Sequence, residues 1–392
     1  MDLSGALWSD LPLEILDQVL SYLRVPDLCR YRTVCKRWDR LMCDPKFGSL
    51  CAQNAAKREA SLIAMRYLKT GDGGWCFLDV NARLWYVVKD DGEGIRRNFY
   101  GEYVTMDGGL VCQYMLPDRI IVYNPMSQTH IREVPTEPHK CLASTYFQRL
   151  IFVVDNISQS FKIFLLYISN PLDLKTVLKL VYDSVTNKWK TSTSPLYITT
   201  GSCLSGSKLL GSRVLFQGYL YFYLYSLSRE EHTVRRYNLV KDAWENLDVP
   251  LTDVSSSARL VVSANRLFLV AWSTGAGLRF DDIGRPCSFQ LSELKILDMT
   301  REVLFEMSEA DVVEVFETGS KNRTTSLPRI SAFSFGNSIL FMSESTGITA
   351  AFDVVTHSWD RNFPPNPLEH LPDEQCSWIG EQMNLLLPCT VW

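Results

Sequence analysis

The stretch YDSVTNKW, Tyr182 to Trp189, returns as YNLVKDAW at Tyr237 to Trp244 and as FDVVTHSW at Phe352 to Trp359. Each copy sets an aromatic residue before an Asp or Asn, then a polar run, then a Trp at one fixed distance. Aligned on the acidic or amide residue, six copies line up. Their anchors are Asp79, Asn124, Asp183, Asn238, Asp298 and Asp353, which lie 45, 59, 55, 60 and 55 residues apart. Six residues after the anchors stand Trp85, His130, Trp189, Trp244, Leu304 and Trp359, so four of the chain's ten Trp residues share one register.

The phrase has the chemistry of a β-turn between two strands. An Asp or Asn side chain opens a turn by accepting hydrogen bonds from backbone N–H groups one or two residues on. The apolar runs before the anchors (LKLVYD, RIIVYN, LKILD) and the Trp after them suit strands. Further strands precede most copies: QRLIFVVD from Gln148, GYLYFYLY from Gly218, NRLFLVAW from Asn265 and NSILFMSE from Asn337. Each period therefore holds about four strands, which is one blade of a β-propeller. The spacing predicts six blades across residues 61–392. Unrelated hairpins in a β-sandwich would have to produce that spacing by accident.

These repeats resemble the kelch-type propellers, whose blades carry a turn-then-Trp phrase. They depart from the kelch pattern in lacking most of its paired glycines; DGGLVCQY at Asp107 holds the one clear Gly-Gly before a strand. The first copy, with SLIAMRYL, GWCFLDV and LWYVV, is one strand short. The C-terminal MNLLLPCTVW, Met383 to Trp392, is expected to supply that strand and close the ring.

A different stretch bears on function: LWSDLPLEILDQVLSYLRVPDLCRYRTVCKRWDRLMCDPKF, Leu7 to Phe47. Apolar residues at 13, 15, 16, 19, 20 and 23 predict a helix from Leu13 to Leu23. Pro12 suits its first turn, and Glu14 its positive end. Pro26 and Asp27 start a second helix through Thr33, and a third runs from Lys36 to Met42 before Pro45. The module carries more apolar face than it can bury by itself. The ordered residues Leu11-Pro12, Glu14-Ile15-Leu16, Leu20, Leu23, Pro26, Asp27-Leu28 and Val34-Cys35-Lys36-Arg37-Trp38 resemble an F-box over its whole length.

That resemblance implies docking onto a Skp-type adaptor and, through it, a cullin. It implies that Leu11, Pro12, Ile15, Leu16, Leu20, Leu28, Val34 and Trp38 divide between the adaptor interface and the module's own core. After residue 47, GSLCAQNAAKREASLI predicts a linking helix over residues 48–60. A helix-turn-helix reading of Arg30, Arg32, Lys36, Arg37 and Arg40 is the competing one, opposed by the net charge of −4.

The remaining chemistry is sparse. The chain has 392 residues, 46% hydrophobic and 21% charged, a globular composition with no electrostatic case for nucleic acid. No basic region precedes an apolar core at the start, and no run of about 18 apolar residues occurs. The eleven cysteines form no C-x-x-C pair. Together these lead us to expect reduced thiols and a cytoplasmic or nuclear location, with no membrane partner. GSCLSGSK at Gly201 has Gly-Ser-Lys where a phosphate loop needs Gly-Lys-Ser/Thr. The five histidines show no metal-ligand spacing. Two long connections, Ser273 to Ser288 and Glu306 to Pro328, are candidate contact loops, the second with room for a helix at Ser308 to Phe316.

The expectation is an α+β multidomain chain: a small three-helix F-box over residues 1–47, the linking helix, and an all-β six-bladed kelch-type propeller. Its function would be substrate recognition in an SCF-type (Skp–cullin–F-box) ubiquitin ligase, with no catalysis and no cofactor. The alternative is a propeller enzyme or sensor with a small molecule in its channel. An enzyme has no need of an F-box.

Overall fold

The computed structural model describes residues 12–55, 62–69, 72–89, 103–115, 119–125, 131–135, 146–155, 158–168, 176–195, 213–226, 231–238, 241, 243–251, 254, 258–274, 287–316, 330–343, 346–367 and 379–383. Four helices come first: α1 (Leu13–Leu20), α2 (Val25–Tyr31), α3 (Lys36–Met42) and α4 (Pro45–Ala55). Pro12 stands immediately before α1, and Pro26 lies in the first turn of α2. The fourth helix begins at Pro45, three residues earlier than expected. The Asp44 side chain accepts the Lys46 N–H at 2.8 Å, and proline at the first helical position needs no N–H partner. A proline read as a stop is here a start.

Six four-stranded antiparallel sheets follow, as the repeat predicts. Blade I is β24 (Ile379–Met383), β1 (Leu62–Lys69), β2 (Asp72–Asp79) and β3 (Leu84–Lys89). Blade II is β4 (Tyr103–Asp107), β5 (Leu110–Met115), β6 (Arg119–Tyr123) and β7 (Ile131–Val134). Blade III is β8 (Tyr146–Asp155), β9 (Ser160–Ile168), β10 (Thr176–Asp183) and β11 (Lys188–Pro195). Blade IV is β12 (Arg213–Phe216), β13 (Tyr219–Ser226), β14 (Glu231–Asn238) and β15 (Ala243–Leu247). Blade V is β16 (Arg259–Ser263), β17 (Arg266–Thr274), β18 (Cys287–Lys295) and β19 (Thr300–Ser308), followed by α5 (Glu309–Phe316). Blade VI is β20 (Ile330–Phe335), β21 (Ser338–Ser343), β22 (Thr349–Asp353) and β23 (Ser358–Asp360).

First strands of successive blades pack on one another: β4 on β8, β12 on β16, β16 on β20, β20 on β24 and β24 on β4. They surround the axis. The ring closes by pairing the last described strand with the first, Leu62 opposite Met383 and Arg66 opposite Ile379. The closing strand thus ends where we expected it to begin, and residues 384–392 lie outside the described residues.

The repeat phrase is the turn between the third and fourth strands of each blade. Asp79, Asp183 and Asp353 each accept two backbone N–H groups through Oδ1, at 2.8–3.2 Å, from the second and third residues on. Asn238 accepts the Lys241 N–H at 2.9 Å. Arg83, Asn187 and His357 end these turns with positive φ.

Blade V departs. Its β18 ends at Lys295, and Met299 holds the positive φ, so Lys295 occupies the anchor position and Asp298 lies within the turn. The Trp position there is Arg301, opposite Leu294, not Leu304. In blade II the turn is one residue longer, and Ile131 rather than His130 faces Tyr123. His130 lies outside the described residues. The first and second strands join by tight turns, among them Gly108–Gly109 and Gln217–Gly218. Gly218 has φ +79° and open space where a Cβ would lie, so only its backbone angle asks for glycine.

In blades II to VI these tight turns share one face of the disc; blade I has none, since its first strand is β24 and its second β1. Links between second and third strands, and the crossovers between blades, share the other. Thr274 and Cys287, the ends of one long connection, and α5 lie toward that second face.

Candidate functional site

Helix α4 leads into β1, which begins on the tight-turn face, and the F-box helices pack there. Leu16, Leu20, Val25, Leu28, Met42, Phe47 and Cys51 form one continuous core with Leu62, Ala64, Trp75 and Phe77 of blade I. Asn54 donates to Ser21 Oγ at 2.7 Å inside it. Arg24, at the start of α2, donates through Nη1 to both carboxylate oxygens of Asp79, at 2.9 and 3.2 Å. Asp79 is 1% exposed, so the first repeat anchor both holds its own turn and pairs with the F-box. Arg30 reaches the Tyr86 hydroxyl at 3.3 Å. Arg32 pairs with Asp39 at 2.8 Å and Arg37 with Asp17 at 3.7 Å, both within the module. Three of the five basic residues that could have made a face for DNA thus have partners of their own.

The inner stripe of α1 leaves an outer one uncovered. Ile15 is 51% exposed and Val34 60%, and Leu13, Val19, Tyr22 and Tyr31 are exposed as well. Pro12 is exposed as well. Leu16, Leu20 and Leu28, expected as adaptor contacts, are 0–3% exposed and belong to the core. Trp38 is half-buried against that core, edge-on to Tyr31 with centroids 5.5 Å apart. Leu11 lies outside the described residues. Sequence reading missed Leu13, Val19, Tyr22, Tyr31 and Arg24. The signal for Leu13 and Val19 was present, since a short helix with two apolar stripes can turn only one inward.

The propeller's repeat residues prove to be scaffold. Trp189 Nε1 donates at 2.9 Å to the carbonyl of Pro135, where the chain leaves blade II. Trp85 Nε1 donates at 3.0 Å to that of Pro364, after blade VI. Trp189, Trp244 and Trp359 each pack at a tilt against the aromatic residue opposite, Tyr182, Tyr237 and Phe352, with ring centroids 5.0–5.3 Å apart. A large ring with one N–H suits this position because it fills the outer seam and ties the preceding blade's exit. Arg301 replaces it in blade V, donating to Gln290 Oε1 at 2.6 Å and Ser292 Oγ at 3.0 Å.

The α5 helix is built into the disc. Ser308 and Asp311 cap it reciprocally, and Val312 and Phe316 are fully buried among Phe268, Phe289 and Phe341. Its exposed face, including Glu309 and Glu314, remains for contact; residues 317–329 lie outside the described ones. Among the described residues no His, Cys, Asp and Glu cluster could hold a metal, and no helix is long and apolar enough to cross a membrane.

The two parts define a helical docking module fixed to a six-bladed propeller. Residues 8–47 match the F-box-like family, and residues 92–273 match the F-box associated beta propeller domain. The chain is an F-box protein with a β-propeller. An F-box/kelch-repeat protein of Arabidopsis thaliana is 24% identical over 257 residues, covering 62% of this chain and 58% of the relative. An F-box protein of the same plant is 24% identical over 261 residues, covering 63% and 65%. The chain thus spans less than two thirds of these relatives' length. Among solved structures, an oligogalacturonate lyase in complex with manganese aligns over 74% of this chain and 72% of its own, at 10% identity and a TM-score of 0.40. A likeness that loose says nothing of activity.

Proposed function

We propose that this chain is the substrate-recognition subunit of an SCF-type ubiquitin ligase, in the cytoplasm, the nucleus or both. The carrying observation is the uncovered apolar face of the F-box, Pro12, Leu13, Ile15, Val19, Tyr22, Tyr31 and Val34, on a module whose opposite side is already packed on blade I. A face of that kind on a small helical unit suits a protein partner, and the F-box resemblance makes that partner a Skp-type adaptor bound in turn to a cullin. The propeller holds the protein to be ubiquitinated, on the face of the long connections, away from the adaptor. The chain's contribution is positioning: it raises the effective concentration of a substrate lysine near the ubiquitin-charged enzyme and supplies no catalytic group.

The test is co-purification with a Skp-type adaptor, beside an Ile15→Asp/Val34→Asp variant. Burying either side chain is worth roughly 1.5–3 kcal/mol, so the double change is expected to weaken binding at least a hundredfold. Because both residues are exposed in the free chain, the variant's melting midpoint stays near the wild type's. No adaptor binding by the wild-type chain overturns the proposal.

A further inference from the structure

Arg235 and Arg236 are neighbours on β14 with opposite surroundings. Arg236 turns to the opposite face, where its guanidinium pairs with Glu245 of the same blade at 2.6 Å and lies 4.5 Å over the Tyr219 ring. Arg235 turns into the seam with blade III. It is 6% exposed, its Nε is buried without a partner, and no carboxylate among the described residues pairs with it. The same seam takes a second cation. Lys179 of β10 is also 6% exposed; its Nζ donates to the Tyr237 hydroxyl and lies 4.9 Å over that ring. Tyr237 sits two residues from Arg235 on the same face of β14.

The equivalent position elsewhere, three residues before the turn anchor, is Cys76, Ile121, Leu180, Ser292 and Ala350, all buried. Blade IV alone puts a guanidinium there. A guanidinium does not shed its proton in a protein, and burying it unpaired is costly. Its planar donors, beside an ammonium and a phenol, match the oxygens of a phosphate-type anion.

We propose that the seam between blades III and IV binds a small oxyanion of the phosphate class, held by Arg235, Lys179 and the Tyr237 hydroxyl. The burial of Arg235 limits the ligand to a free ion, because a phosphoryl group carried on a peptide or polynucleotide could not enter the seam. The ion compensates the charge of Arg235 and, by reaching Lys179 as well, ties the two blades together.

The probe is inorganic phosphate with the full-length chain. Equilibrium dialysis is expected to retain one phosphate per chain, and the Arg235→Leu variant, which puts there the residue blade III carries at Leu180, none. Against chloride at matched ionic strength, phosphate at a hundred times its dissociation constant should raise the wild-type midpoint by about 4 °C. The same addition should leave the variant unmoved. In phosphate-free buffer the variant is expected to melt above the wild type, because an uncompensated charge has been removed. No retained phosphate in the wild type, or equal retention in the variant, overturns the proposal.

Discussion

Asp107 closes β4 at the Gly108–Gly109 turn, and its Oδ2 accepts the Val154 N–H at 2.7 Å, joining blade II to blade III. Burial pushes its carboxyl up to about 6, against the opposing pull of the Val154 and Gly108 N–H groups. The folded chain therefore keeps this proton at a pH where the unfolded chain, with an ordinary value of about 3.9, has released it. The stabilisation is complete below the unfolded value and is lost as pH rises through about 6. Asp107→Asn keeps an acceptor for Val154 without the charge. We expect it to melt above the wild type at pH 7.5, by an equivalent of about 1–2 kcal/mol, and level with it at pH 4. Thermal melts at the two pH values decide the matter; a constant offset would assign the carboxyl no role in the pH dependence. None of this was legible in the sequence. DGGLVCQY showed a Gly-Gly before a strand, but not which blade the Asp would touch.

At the scale of elements, the sequence was most readable where local chemistry repeats. Anchor, turn and Trp lie within seven residues and carry their own hydrogen bonds, so five of the six turns were placed on their anchors. Blade V was misread because KILDMT offers an Asp inside the turn, while Lys295 stands where an acceptor side chain would be. Only the strand register separates the two readings. The ring closure was legible as a missing strand but not as a particular segment, since IGEQM has little strand character and pairs with β1 across most of the chain. That pairing makes a prediction. A chain ending at residue 378 leaves β1 an open edge and separates β20 from β4. It is expected to lose its cooperative transition or to melt more than about 10 °C lower, with aggregation through the bared edge. An unchanged melt by circular dichroism would mean that the ring does not depend on β24.

Across the whole molecule, the consequential contact is the one between F-box and propeller. A linking helix was expected to set their distance. The structure adds a shared core and a buried carboxylate, Asp79, that serves both domains. The repeat anchor could be read from its spacing, but its partner could not, because Arg24 is 55 residues away and is none of the positions that carry the F-box resemblance. This coupling fixes the angle between the F-box and the long-connection face, and it predicts joint opening. Arg24→Ala leaves Asp79 with only the turn N–H groups and, with Arg24 half-exposed, is expected to cost about 1–3 kcal/mol. Hydrogen exchange read by mass spectrometry should show F-box peptides (residues 13–55) and blade I peptides (residues 62–89) protected to the same degree in the wild type. In Arg24→Ala the F-box peptides are expected to exchange some five- to a hundredfold faster while blades III to V keep their protection. F-box peptides exchanging far faster than blade I in the wild type itself would make the module an independent unit. The angle of presentation would then be free rather than built in.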